Sequence, residues 1–378
     1  MIPGSRRTFF RAVAPVVAGM AAGCGQGRDS HREAGLIEVD RPSALGWSMP
    51  AEWHPHARCW MAWPAREDRW GDLLRDLRAE VARLARTIAR FEPVVMVASP
   101  ETAEPARAAC GPDVAVLPLP IDDIWTRDSG PTFLLDGKGE VAGVSWRFTA
   151  WGGKHERFAA DATLGRRLLD HAGLTCFPAS LGTEGGAFHV DGEGTVLTTE
   201  TTILNPNRNP GSRKADVEAT LRGWLGADKV IWLPGSTADT ITDGHVDGIA
   251  AFVRPGVAVA EITPDRADPE YAELQENLKA LRLATDARGR RLEVAVVRRP
   301  TEVGRRGESF CASYVNFYLA NGAVVMPEFG DNRGADTAAR GVLSQLFPDR
   351  QVVPVPLSVI PEGGGGIHCV TQQQPKAR

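Results

Sequence analysis

Near its C-terminal end the chain reads PEGGGGIHCVTQQQP (361–375), with four glycines leading into Cys369. A flexible tail has no use for the neighbouring Ile367 and Val370, and a structural cysteine does not need glycines that let backbone approach backbone. The arrangement suits a nucleophilic thiol. Three other stretches are rich in chemistry-bearing residues: DDIWTRDSGP (122–131), EGGAFHVDGEGTVLTTE (184–200) and TDGHVDG (242–248). In the last, His245 and Asp247 are two apart, so on an extended segment they share a face. A histidine beside a carboxylate is readily tuned for acid–base work. His368 alternates to the opposite face from Cys369, so the partner base is expected to be a histidine distant in sequence. A thiol, a histidine and separated carboxylates together fit a planar cation. Carboxylates grip the fork of a guanidinium bidentately, its carbon is open to a thiolate, and Trp125 could cover its flat face.

These residues must be brought together from far apart. Asp128, Glu184 and His245 fall about 60 residues from one another, and Cys369 follows after about two such intervals. Helical and strand patterns alternate along the chain. The segment 68–91 has apolar residues at helical spacing and precedes the strand-like VVMVAS (94–99). Four similar pairs follow: RFAADATLGRRLLDHAG with LTCFPAS, DVEATLRGWLG with KVIWLP, DPEYAELQENLKALRLATDA with LEVAVVRRP, and GADTAARGVLSQLFP with QVVPVPLS. The class is α/β. Spacing alone leaves two arrangements open: repeated modules that each deliver a strand end to a common axis, or one doubly wound sheet.

The 378 residues, 43% hydrophobic and 24% charged, allow a sizeable core. The net charge of −4 and the scattered basic residues give no footprint for nucleic acid. Residues 1–28 read as an export signal of twin-arginine type, with Arg6 and Arg7 as the receptor-read pair, an apolar run and AAGC. Cys24 stands where a lipoprotein signal places its lipidated cysteine, and the apolar run is too short to span a bilayer. The protein is therefore expected outside the cytoplasm. Residues 29–48 read as a linker and 49–378 as a single domain. The remaining cysteines, Cys59, Cys110, Cys176, Cys311 and Cys369, are odd in number and irregularly spaced, which argues against a disulfide framework. With no CxxC or HExxH, no metal site and no cofactor are expected.

Eight segments in order, MPAEWHPHARCWMAWP, DDIWTRDSGP, WGGKH, EGGAFHVDGEGTVLTTE, NPNRNP, GHVDG, ASYVNFY and GGGGIHC, strongly resemble the agmatine deiminase family, bacterial peptidylarginine-deiminase-like enzymes of the guanidino-group-modifying superfamily. The resemblance runs from about Met49 to Pro375. It implies a five-bladed pseudosymmetric α/β propeller of ββαβ modules with the site at its axis. It also implies Cys369 as nucleophile, His245 as acid–base, Glu184 positioning that histidine, Asp128 and Asp247 gripping the guanidinium, and Trp125 beside it. The expected reaction is hydrolysis of agmatine to a ureido product and ammonia through a covalent thiouronium. Agmatine-specific members often carry an acid four residues before the histidine, where this chain has Ile241. Another guanidino compound, a peptidyl-arginine, or amidino transfer to an amine are the alternatives, with a non-catalytic binding protein or a cysteine protease further behind.

Overall fold

The computed structural model describes residues 41–300, 307, 310–330 and 334–377. The export-signal reading of residues 1–28, with Arg6, Arg7 and Cys24, lies outside them. Among the described residues no helix is long and apolar enough to cross a membrane.

All five helix-then-strand pairs are present. The helix Leu74–Ala89 buries Leu77, Val81, Leu84, Ala85 and Ile88, a stripe at helical spacing, and leaves its arginines facing out. It is shorter than the apolar pattern from residue 68 suggests. Gly71, at φ 47 and ψ −131, separates it from a single turn at Glu67–Trp70. The other crossover helices are Ala103–Cys110, Leu164–Ala172, Lys214–Leu225, Tyr271–Leu283 and Ala335–Leu346.

The strands form five separate sheets rather than one doubly wound sheet. Three share a simple pattern: an antiparallel pair, a crossover helix, and a third strand parallel to the middle one. They are Phe188–Val190, Thr195–Thr199 and Lys229–Leu233; Ala250–Arg254, Val257–Ile262 and Glu293–Arg298; and Tyr318–Ala320, Ala323–Glu328 and Gln351–Pro356. Parallel neighbours require such a crossover, which is why the helices recur at regular intervals. A fourth sheet places Thr132–Asp136, Val141–Arg147 and Thr175–Gly182 in the same pattern and adds Trp47–Ser48 at its edge. The last joins the ends of the described chain. Gln372–Pro375 pairs antiparallel with His56–Ala62, which runs parallel to Val94–Ala98 and through it to Val114–Pro118.

The linker boundary needs correction. Residues 42–48 belong to the folded body: Pro42–Leu45 form a 3-10 turn, Trp47–Ser48 pair with Leu135 and Asp136, and Trp47 packs edge-on to Phe177.

In each sheet one strand, the first of an antiparallel hairpin in four and the C-terminal strand in the fifth, is preceded by a short turn or loop that carries polar residues. Asp128 lies just before Thr132, Glu184 just before Phe188, and His245 and Asp247 just before Ala250. Asn316 lies just before Tyr318, and His368 and Cys369 just before Gln372. The interval of two steps between His245 and Cys369 is thus filled, by a residue the spacing argument passed over.

Candidate active site

Cys369 sits in a turn, not a strand, so the expectation that His368 faces away from it does not hold. Both touch the same carboxylate oxygen. Cys369 Sγ lies 3.5 Å from Asp247 Oδ2, and His368 Nδ1 lies 2.8 Å from it. His368 is nonetheless no base for the thiol, because its Nε2 is 2.7 Å from Glu52 Oε1. An imidazole with a carboxylate at each nitrogen donates from both and is an imidazolium. Burial alone would lower its pKa, and Arg127 adds to that, but Glu52 and Asp247 raise it overall. Arg127 also donates to Glu52 at 3.2 Å and, through its backbone N–H, to the Cys369 carbonyl at 3.1 Å.

The glycine run has a steric explanation at each position. A Cβ on Gly363 or Gly365 would collide with the Trp125 ring, and one on Gly365 would also come within 3.1 Å of Cys369 Sγ. On Gly364, at φ +90, it would meet Ile241 at 2.7 Å, and on Gly366 it would meet Asn316 Oδ1 at 2.5 Å.

His245 caps a single 3-10 turn, Val246–Gly248, that contains Asp247, rather than an extended segment, and both are buried. His245 Nε2 is 3.2 Å from Glu184 Oε2, whose two oxygens accept from Arg208 Nε at 3.0 and 2.9 Å. Arg208 in turn donates to Asp243 and to the Thr242 carbonyl. His245 Nδ1 is buried without a hydrogen-bond partner among the described residues and lies 3.9 Å from Asp128 Oδ1. Burial pushes the imidazole down. Asp128, then the Glu184 hydrogen bond and charge, then Asp247 outweigh it and raise the pKa to about 9. Burial lifts Asp128 to about 6, helped by Asp247 and Glu184. One Asp128 oxygen accepts from the Gly186 N–H at 3.0 Å and the other from the Trp151 indole at 2.9 Å. Trp151 holds a left-handed backbone at φ 56, uncommon for a non-glycine residue and worth its strain only where a contact demands it. A Cβ on Gly186 would come within 2.6 Å of His245 Nδ1, 2.9 Å of Asp247 Oδ2 and 3.0 Å of Asp128 Oδ1. The predicted acid–base and binding groups therefore surround one point.

His245, Asp247 and Cys369 open onto a cleft of about 140 Å³, whose outer walls include Ile241, Phe310, Cys311, Glu270 and Arg299. Asp128 and Glu184 stand behind it, and Trp125 reaches the nucleophile's neighbourhood through Gly365. Cys59 and Cys110 are buried as expected of small hydrophobes; Cys176 and Cys311 are only partly so. Glu52, His189 and His368 could geometrically hold a metal ion. Their chemistry argues against it: Arg127 and the His368 imidazolium already neutralise Glu52, and His189 Nδ1 accepts the Phe252 N–H at 3.3 Å, leaving Nε2 to carry its proton.

Four buried acids, Glu52, Asp128, Glu184 and Asp247, face four buried cations, Arg127, Arg208, His245 and His368. With Cys369 as a thiol the cluster is neutral. Burial, then Asp247 and Asp128, hold that thiol well above the ordinary range.

Residues 48–375 match the Porphyromonas-type peptidyl-arginine deiminase family. The chain belongs to that family. Agmatine deiminase of Pseudomonas aeruginosa is 41% identical over 361 residues, covering 89% of this chain and 98% of the relative. Agmatine deiminase of Ectopseudomonas mendocina is 41% identical over 359 residues, covering 88% and 97%. The structure of agmatine deiminase from Enterococcus faecalis superposes with a TM-score of 0.85 at 34% identity, covering 90% of this chain and 99% of that one. Glu52, Trp151, Arg208 and Asn316, which residue-type reasoning did not single out, all lie inside segments that carry the family resemblance. Their setting in MPAEWHP, WGGKH, NPNRNP and ASYVNFY was the available signal.

Proposed function

We propose that this protein hydrolyses the guanidinium group of a small substrate, with agmatine the leading candidate, to a ureido product and ammonia. One observation carries the reading: a buried thiol, an imidazole with a free nitrogen and the Asp247 carboxylate line one cleft, with Asp128 beside the imidazole, in a family of guanidino-group hydrolases. Asp128 and Asp247 take the guanidinium fork. Its positive charge offsets the negative charge that forms when Cys369 gives its proton to solvent within an otherwise neutral cluster, a proton the thiolate regains from solvent after the last step. The thiolate attacks the guanidinium carbon, and the C=N electron pair moves onto nitrogen. His245, charged at neutral pH, protonates the departing amine, and ammonia leaves as the C–N bond breaks. A thiouronium on Cys369 remains. Neutral His245 then takes a proton from water as its oxygen bonds to the carbon. Collapse expels the Cys369 thiolate, and the last proton passes through solvent to ammonia.

A second reading, a guanidino substrate other than agmatine, is favoured by Ile241 in the cleft wall. Asp239 is no substitute carboxylate, since its oxygens already accept from Ile241, Thr242 and Gly244. The five sheets are best read as blades of a five-bladed α/β propeller, supported by the polar lead-in that one strand of each sheet supplies to the site. Export through the twin-arginine route, with Cys24 as a possible lipid anchor, completes the proposal and rests on residues 1–28.

The test is an assay of ammonia and ureido product over agmatine, arginine, guanidinobutyrate and a blocked arginyl peptide, with Cys369→Ala in parallel. Turnover of agmatine alone, lost in the variant, is the expected result. Turnover of another guanidine moves the substrate and keeps the mechanism. Product only when an amine acceptor is added means amidino transfer, and silence on every guanidine with folded protein removes the hydrolytic reading.

A further inference from the structure

The proposed hydrolysis uses Cys369, His245 and Asp247 in the cleft wall and gives Glu270 and Arg299, in the same wall, no task. Among the described residues three carboxylates line the cleft: Asp239, Asp247 and Glu270. Asp247 stands beside the thiol. Both Asp239 oxygens are filled from its own loop, Oδ1 by the Ile241 and Thr242 N–H groups and Oδ2 by the Thr242 hydroxyl and the Gly244 N–H. Glu270 differs. Its Oε2 accepts from Arg299 Nη2 at 2.9 Å, while its Oε1 accepts from no described residue. Arg299 also donates from Nε to Glu261 at 3.0 Å and from Nη1 to Asp268 at 3.3 Å. Of these three acids Glu270 is the most open, its side chain 26% exposed against 17% for Asp268 and 0% for Glu261. Glu261 spends its second oxygen on the Ser313 hydroxyl and the Tyr314 N–H, and Asp268 turns Oδ1 to the Glu270 N–H and does not line the cleft. Burial lifts Glu261 to about 7. Even with Glu261 protonated, two carboxylates face one guanidinium, and the surplus negative charge lies at the cleft.

We propose that Glu270 is a specificity-determining residue: its open carboxylate oxygen accepts from a second cationic group at the far end of the substrate, so the cleft selects guanidines with an ammonium tail. The inference rests on the reading in which the guanidinium itself lies at Asp247 beside Cys369. A carboxylate accepts several donors at once, so the ammonium joins Arg299 rather than displacing it. Arg299 in turn fixes the glutamate in place before substrate arrives, which lowers the entropy lost on binding. Ile241 and Phe310 in the same wall offer apolar surface to the methylenes that join two charged ends. The surplus negative charge also works against an anionic tail, so selection includes a repulsive element. The acid that reads the tail thus stands at the start of the helix Tyr271–Leu283, away from the loop that carries Ile241 and His245.

The experiment compares agmatine with pentylguanidine, in which a methyl group replaces the terminal ammonium. Glu270→Gln keeps an acceptor for Arg299 and removes the charge. The ratio of kcat/KM for agmatine over pentylguanidine should fall about tenfold or more, mostly through KM, and guanidinobutyrate, with its anionic tail, should gain. Glu270→Ala lacks the acceptor altogether, should lower the ratio at least as far, and serves if the glutamine variant does not fold. Asp268→Asn removes a charge from the same arginine but off the cleft wall, and should change the ratio much less. An unchanged ratio in the Glu270 variants, or an equal fall in Asp268→Asn, overturns the assignment. Calorimetric binding of both guanidines to Cys369→Ala protein, with and without Glu270→Gln, is read in parallel. Selective weakening of agmatine there, with no turnover of any guanidine by the wild-type enzyme, means that the hydrolytic reading fails while the subsite stands. Turnover with an unchanged ratio means the reverse.

Discussion

At the residue scale the site is a set of paired opposite charges. The proposed hydrolysis requires Asp128 ionised to hold the guanidinium and His245 protonated to release ammonia. With Asp128 raised to about 6 and His245 to about 9, kcat/KM should be level between those values, falling below the first and above the second. Glu184 helps to keep His245 charged, so Glu184→Gln should move the alkaline limb to lower pH. A pH–rate profile whose alkaline limb stays in place would show that His245 is not the group titrating there. The His368 bridge gives a second expectation. Removing one partner of a buried ion pair costs about 3–5 kcal/mol, so His368→Gln should lower the unfolding midpoint markedly and raise KM, since Asp247 loses the donor that holds it. Glu52→Gln combined with His368→Gln should cost less than the sum of the two single changes, as expected of groups in direct contact. Strict additivity in calorimetry would refute the bridge.

The six candidate site residues are nameable from side-chain type and family motif, because nucleophile, base and carboxylate announce their chemistry. Asn316 and Trp151 did not, since an amide and an indole acquire their roles only from what they face. His368 was misread for a different reason. The alternation rule applies to extended backbone, and the glycines make the chain turn there.

At the scale of elements, the loop bearing Cys369 is held from outside the site. Glu80, buried on the helix Leu74–Ala89, accepts the backbone N–H groups of Ser358, Val359 and Ile360 just before the glycine run. The glycines then let the loop pass between Trp125, Ile241 and Asn316. Gly365→Ala should reduce kcat at least about tenfold, because the added methyl overlaps the buried Trp125 ring and displaces Cys369. Gly364→Ala should instead lose stability, about 1–2 kcal/mol from its left-handed backbone alone. Equal effects of the two on activity and stability would remove the distinction. The helices and their following strands were readable because amphipathic spacing and apolar runs are local signals. The division into five sheets came from the family resemblance and not from these local signals. It depends on which strand edges pair, and pairing of the C-terminal strand with His56–Ala62 leaves no local trace.

For the whole molecule, that pairing matters most. Gln372 aligns with Trp60, and the Trp60 indole donates to Gln374 at 3.1 Å, so the last described strand locks into the sheet near the start of the body. Deleting residues 372–378 should abolish soluble, active protein, whereas removing only Ala377 and Arg378 should leave thermal stability and turnover near the full-length values. Normal turnover in the longer deletion would mean that the strand does not position Cys369.

Trp60 and Gln374 meet across 314 positions of chain. A contact of such long range carries a large loop-closure entropy and belongs among the slow events of folding. Cys369 is three positions from the strand that makes it, so the thiol reaches its setting only when the two ends of the body find each other. During synthesis nearly the whole polypeptide must leave the ribosome first. A partly made or partly folded chain can bury most of its tryptophans and still be chemically inert. Catalysis therefore switches on with the last closure, and recovery of turnover on refolding marks the time at which the C-terminal strand pairs with His56–Ala62.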